Sequence, residues 1–134
     1  MRQFSLLPTL VNAVPPRCDF PLGMQSGKIP DTAIKSSSDW DNAHRAANGR
    51  LNFTAGGGRT GGWSAKYNDI GQWFQIDTGA VSKIIEVATQ GRHDADQWVL
   101  SYSLSYSQDG VYYYSYMKGK VTSTMLFAFR SQNY

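Results

Sequence analysis

Gly56-Gly57-Gly58-Arg59-Thr60-Gly61 fits the G-x-G-x-x-G pattern letter for letter, and Asp77 lies near the spacing at which an acid would meet a nucleotide ribose. Phosphate binding by that pattern needs a strand before the glycines and a helix after them, so that the helix N-terminus faces the pyrophosphate. Here Trp63-Ser64-Ala65-Lys66-Tyr67-Asn68-Asp69 runs directly into Gly71 and a strand-like stretch, which leaves the glycines as a turn between strands. His44 lies near Asp39 and Asp41, and His93 near Asp94 and Asp96, without the H-E-x-x-H spacing or the Cys cluster of a zinc site. The four aspartates are oxygen donors of the kind a hard cation takes, so calcium is the one ion they would suit, and no other cofactor or metal is called for. Ser101, Ser103 and Ser105 recur with the period of a strand face, and no nucleophile, base and orienting acid stand at a recognisable spacing. No residue is assigned a catalytic role and no enzymatic activity is expected.

What remains is the chemistry of recognition. Three polar stretches, Ser36 to Gly49, Thr54 to Gly62 and Gly91 to Gln97, lack periodicity and read as loops. They carry Trp40, His44, Arg45, Arg59, Arg92, His93 and Asp96, a set suited to bidentate polar contacts and ring stacking. Trp40, between Asp39 and Asp41, reads equally as a ligand contact or as an anchor for its loop. Asn52-Phe53-Thr54 is an N-glycosylation sequon, which marks an exposed position in a secreted chain if it is used.

Rigid elements must hold those loops. The chain has 134 residues, enough for one domain with one core. A single Glu against 13 Gly, 8 Tyr and 4 Trp argues against helix and for an all-β fold. Trp98, Leu100, Tyr102, Leu104 and Tyr106 alternate with serines and Val99, which predicts a strand over Trp98 to Ser107 with an apolar core face and a wet serine face. Asp109-Gly110 then turns the chain into a returning strand, Val111 to Tyr116. Gln72 to Asp77 and Val81 to Thr89 predict a second pair around Thr78-Gly79-Ala80. The formal charge is +3 and the basic residues are scattered, so nucleic acid is not an expected partner. The apolar runs are far shorter than the roughly twenty residues that span a bilayer.

Several stretches, in order along the chain, resemble the discoidin or coagulation-factor V/VIII C-type domain family. They are Cys18 with Pro21-Leu22-Gly23-Met24, Ile29-Pro30-Asp31, Ile34-Lys35-Ser36-Ser37-Ser38 with Trp40, Arg50-Leu51-Asn52, Gly62-Trp63-Ser64-Ala65, Gln72 to Asp77, Thr89-Gln90-Gly91-Arg92, and Tyr102 to Ser107 closed by Asp109-Gly110. The resemblance implies a jelly-roll β-sandwich or distorted barrel, extracellular placement, and binding of glycans, lipid headgroups, collagen or other proteins through end loops. It also implies a strand position for Asn52.

The expected organisation is a signal peptide or linker over residues 1–17, a discoidin-type domain over 18–120, and an unmatched tail over 121–134. The family's domains continue with further strands to a second Cys, so this chain is expected to lack its last strands, and Cys18 has no disulfide partner within it. Family members that bind membranes insert several apolar loop tips; these loops offer only Trp40, so deep membrane insertion is not expected. Trp40 and Arg92 occupy positions that resemble the collagen trench of receptor-kinase discoidin domains, although Gln97 stands where those have an acid and Asp96 is one residue away. The expected function is therefore a non-catalytic extracellular adhesion module recognising a glycan or a matrix protein, collagen among the candidates. The alternative is a carbohydrate-targeting domain of a larger secreted enzyme.

Overall fold

Ile34 and Ile76 face each other across an antiparallel ladder and are both buried, which joins two segments forty residues apart at the base of the core. The computed structural model of the protein describes residues 20–80 and 82–116. Residues 1–17, Cys18, Val81 and the tail 121–134 lie outside them, so the expected leader, thiol and tail do too.

The described residues are all-β. Strand β1 (Ile34–Ser36) pairs with β2 (Phe74–Ile76), and β3 (Leu104–Tyr106) pairs with β4 (Tyr114–Tyr116), both antiparallel. Three short 3-10 turns, Asp31–Ala33, Asn42–His44 and Ala46–Gly49, are the only helical elements among the described residues. Ile29, Ile34, Ala46, Phe74 and Ile76 form the core; Met24, Ala33, Trp63, Val87, Tyr102 and Leu104 pack around it. The core thus draws on both strand pairs and on the third turn.

Two contacts fix this arrangement. Gly49 lies against the Phe74 ring so closely that a Cβ there would come within 2.6 Å of it, so the turn can approach the strand only without a side chain. Arg50, next in the chain, is a clamp. Its Nη1 donates to the Met24 carbonyl at 3.0 Å and its Nη2 to the Ile29 carbonyl at 2.7 Å, while Nε and Nη2 both reach Asp31. The guanidinium holds the Asp31 carboxyl below its ordinary range.

The hairpin predicted around Asp109-Gly110 is present, with Tyr106 opposite Tyr114 and their rings 5.7 Å apart. Its strands are shorter than expected, and the predicted alternation holds only in the middle. Tyr102 and Leu104 pack on the core while Ser101 and Ser103 are exposed, as predicted. At the ends the pattern fails. Leu100 is 86% exposed, Trp98 and Tyr106 are exposed, and Ser105 and Ser107 are buried instead. Residues 98–103 form no strand, so no pleat turns Trp98 and Leu100 inward, whereas Ser105 and Tyr106 depart from the pattern within β3 itself. Ser107 turns inward because its hydroxyl is needed there: it accepts from the Asp109 and Gly110 amides and donates to the Asp109 carboxylate.

The second predicted pair is also corrected. The turn at Thr78-Gly79-Ala80 exists, with Gly79 at φ 72 and the Thr78 hydroxyl donating to the Ala80 carbonyl. Residues 82–90 form no strand, however, and β2 takes β1 as its partner instead. The Asp77 amide extends that ladder by donating to the Ala33 carbonyl at 2.8 Å. The β-branched residues of 82–90 are used singly: Val87 reaches the core, whereas Ile85 stays exposed. Asn52, placed in a strand by the family resemblance, sits in a turn at φ 56.

Candidate functional site

The first loop, Ser36 to Gly49, is folded by its own short side chains. Asp41 caps the Asn42–His44 turn, accepting from the Ala43 and His44 amides at 2.8 and 3.1 Å. Ser37 and Ser38 donate to Gln72 Oε1 at 2.8 and 2.6 Å, and Ser36 donates to Asp39. Trp63 pins the loop from the core side: its indole Nε1–H is shared between the Ser38 carbonyl and Asp39 Oδ1 at 3.0 and 2.9 Å, and its ring lies 5.3 Å from Phe74.

Asn48 binds this loop to the second. It is 0% exposed, and its amide donates to the Ala43 carbonyl at 2.6 Å and the Thr60 carbonyl at 3.0 Å, while its Oδ1 accepts from Arg59 Nε at 2.8 Å. The second loop, Thr54 to Gly62, is a tight reversal in which Gly56 and Arg59 pair and Gly57 and Gly58 both take positive φ. No helix follows those glycines. The nucleotide pattern is thus a two-residue hairpin turn.

The third loop, Gly91 to Gln97, closes on both others. Asp94 Oδ1 accepts from the Gly61 amide at 2.9 Å and the His93 amide donates to the Gly61 carbonyl at 3.1 Å. A Cβ on Gly61 would fall 2.4 Å from His93 Cβ, so only glycine lets these loops touch. Arg92 grips Asp94 with two bonds, Nε to Oδ1 at 2.7 Å and Nη2 to Oδ2 at 3.0 Å, and its Nη1 reaches Gln97 Oε1 at 2.9 Å. The same Nη1 lies 3.3 Å from His44 Nε2, across to the first loop. A guanidinium only donates, so His44 Nε2 is the acceptor in this contact, and the ring's other nitrogen, Nδ1, lies 2.6 Å from Asp41 Oδ1.

These contacts divide the seven residues expected to bind ligand. His44, Arg59, Arg92 and His93 are brought together and are engaged within the protein. Arg59 is bound to Asn48 and lies over the Phe53 ring, 4.5 Å from its centroid, and His93 Nδ1 accepts from the Ala55 amide. Trp40, Arg45 and Asp96 are exposed, and their side chains make no hydrogen bond or ion pair with the described residues. Only the backbone of Trp40 is held, by its amide on the Ser64 carbonyl at 2.8 Å. Asn48 and Trp63 were not among the expected residues. Both act over more than ten residues of separation, and only the family match of Gly62-Trp63-Ser64-Ala65 pointed at either.

The aspartates do not gather as cation ligands would. Asp39 is bound by Ser36 and Trp63, Asp41 by His44 and Asp94 by Arg92, and no group of three or more His, Cys, Asp or Glu that could hold a metal occurs among the described residues. Among the same residues no helix is long and apolar enough to cross a membrane.

The family model for the F5/8 type C domain matches residues 33–130. The chain belongs to the F5/8 type C, or discoidin, domain family. The all-β, two-sheet architecture is that of the discoidin β-sandwich. The match of this discoidin chain runs past residue 120 to residue 130, into the segment expected to be an unmatched tail. Retinoschisin of Mus musculus is 34% identical over 119 residues, covering 84% of this chain and 52% of retinoschisin. Coagulation factor V of Bos taurus is 39% identical over 99 residues, 69% of this chain and 4% of factor V. Lactadherin of Rattus norvegicus is 34% identical over 99 residues, 70% of this chain and 23% of lactadherin. The discoidin chain therefore spans about half the length of retinoschisin and a small part of the other two.

The loop junction has a pH signature. The Arg92 guanidinium, and then the Gly61 amide, hold the Asp94 carboxyl far below its ordinary 3.8. A depressed carboxyl contributes stability that is whole above its unfolded value and disappears as pH falls through the folded one. The Asp94 carboxyl carbon resonance should therefore titrate with a midpoint below 3.8. Asp94→Asn should remove that acid step; a step at or above 3.8 in the native protein would contradict the Arg92–Asp94 pairing.

Proposed function

We propose that this chain is a non-catalytic extracellular binding module that recognises a glycan or an extracellular-matrix protein through its three joined loops. The observation that carries this reading is Trp40, 62% exposed with an unpartnered indole, on a loop whose backbone is tied down on both sides. A large amphipathic ring held at low conformational cost is what recognition hot spots use. Arg45 and Asp96 supply uncommitted charges of both signs, while His44, Arg59, Arg92 and His93 hold the loops in place. Membership of the discoidin family supports extracellular placement and binding without chemistry.

The test is a panel of arrayed glycans, collagen peptides, and vesicles with and without anionic lipid, probed with the whole chain. A glycan or collagen ligand is expected. Trp40→Ala should weaken its binding about thirtyfold, the loss of a contact worth roughly 2 kcal/mol, and leave the thermal midpoint unchanged. Loss of the fold at unchanged intrinsic affinity would make Trp40 a loop anchor instead. A response to vesicles alone would overturn the choice of ligand class.

A further inference from the structure

We propose that Asn52 carries an N-linked glycan that stands beside the second and third loops, a modification that rests on the extracellular reading above. The sequon Asn52-Phe53-Thr54 is necessary for this and says nothing of presentation. The fold supplies the rest. Asn52 lies in a turn at φ 56, a left-handed conformation that asparagine tolerates better than other side-chain-bearing residues. The turn is fixed from behind, by the Asn52 amide donating to Gln90 Oε1 at 2.8 Å. Phe53 is drawn inward beneath Arg59. Asn52 and Thr54 on either side of it are exposed, and the side-chain amide of Asn52 makes no hydrogen bond with the described residues. The acceptor nitrogen and the hydroxyl that the modification requires thus both project outward, flanking an anchored residue.

The donor is an oligosaccharide carried on a pyrophosphoryl lipid. Asn52 Nδ2 attacks the anomeric carbon, an N–C bond forms as the C–O bond to pyrophosphate breaks, the amide nitrogen gives one proton to a base, and the pyrophosphoryl lipid departs. No oxidant or reductant is involved. The product is a bulky, hydrated chain rooted beside Gln90 and the Ala55–His93 contact, where it limits the approach of large ligands from the side of the third loop.

The test expresses the whole chain behind a heterologous signal peptide in cells competent for N-glycosylation, so that entry to the secretory pathway does not depend on residues 1–17. The secreted protein should lose the mass of one glycan on treatment with peptide N-glycosidase under native conditions. Asn52→Gln and Thr54→Ala should each abolish the shift, and Thr54→Ser should keep it. A secreted protein without the shift, on native and on denatured samples alike, overturns the site, and so does a shift that Asn52→Gln leaves in place. Failure of the ligand panel would instead overturn the proposed function and leave the glycan in place.

Discussion

Asn48→Ala should cost on the order of 3–5 kcal/mol and abolish ligand binding. The side chain is wholly buried and satisfies three groups that have been taken out of water: the Ala43 carbonyl, the Thr60 carbonyl and Arg59 Nε. A buried polar group left without its partner costs roughly 1–3 kcal/mol, and alanine takes this partner from two at once, the Thr60 carbonyl and Arg59 Nε. That sum is a large share of the 5–15 kcal/mol by which a domain is ordinarily stable. Part of the loss is softened because Thr60 Oγ1 also donates to the Ala43 carbonyl, at 2.8 Å. Asn48→Asp separates size from hydrogen bonding. It keeps the volume and the acceptor for Arg59, yet turns an oxygen toward two carbonyl oxygens, so it should be as damaging as alanine. Urea unfolding at constant slope measures both. A mild Asn48→Asp beside a severe Asn48→Ala would mean that packing, and not the two amide bonds, joins the loops.

Loss of Asn48 should reach Trp40 even though the two side chains do not touch. The Ala43 and His44 carbonyls accept from the Thr60 and Ser64 amides, and the Ser64 carbonyl in turn accepts from the Trp40 amide. The placement of Trp40, and with it the binding proposed above, therefore depends on a register set between the first loop and residues 60–64. The third loop is added through Gly61 and Arg92. Arg92, which sequence reading placed in the ligand contact, spends its planar fork on Asp94 in its own loop and its remaining amine on Gln97 and His44. These bonds hold the third loop in shape.

What the residues disclosed before any coordinates follows from the range of the forces involved. The Asp109-Gly110 hairpin was legible because a turn is a local matter, decided by a glycine at positive φ and by an Asp that can cap its own backbone. Alternation from Trp98 to Tyr106 misled because polarity alone does not choose the buried face: inside the ladder Ser105 is buried and Tyr106 exposed, and before it Trp98 and Leu100 lie in no strand. Here the ladder covers just Leu104–Tyr106. Serine was read as wet from its polarity, whereas Ser107, 3% exposed, is buried with every bond it needs. The β-branched stretch after Val81 has the propensity of a strand, yet among the described residues it joins no ladder, and β2 pairs with β1 instead. The loops were found by their lack of pattern, and the residues that join them were not. Asn48 meets Thr60 and Trp63 meets Ser38 only once the fold has closed, and neither pairing leaves a local signature.

Trp63→Ala should cost about 3–5 kcal/mol, in contrast to the near-silent effect on stability expected at Trp40. The two tryptophans lie on either side of the same loop. Trp63 packs its ring against Phe74 in the core and presents its one polar atom to Ser38 and Asp39, so truncation opens a cavity and frees the loop together. Trp63→Phe separates these effects. It keeps most of the aromatic bulk against Phe74 and removes the N–H, which should cost only about 1–2 kcal/mol of stability, the penalty for two acceptors losing a shared donor. The loop consequence should be larger than that figure suggests. Asp39 would retain only Ser36 as a side-chain donor, and the segment that presents Trp40 would lose the attachment nearest to it on the core side, keeping those of Ser37 and Ser38 to Gln72. Ligand binding by Trp63→Phe should therefore fall more than its denaturation midpoint does, and hydrogen exchange should quicken first at the Trp40 amide. If stability and binding fall in step, with no selective exchange at Trp40, the indole N–H does not position the loop and Trp63 is a core residue alone.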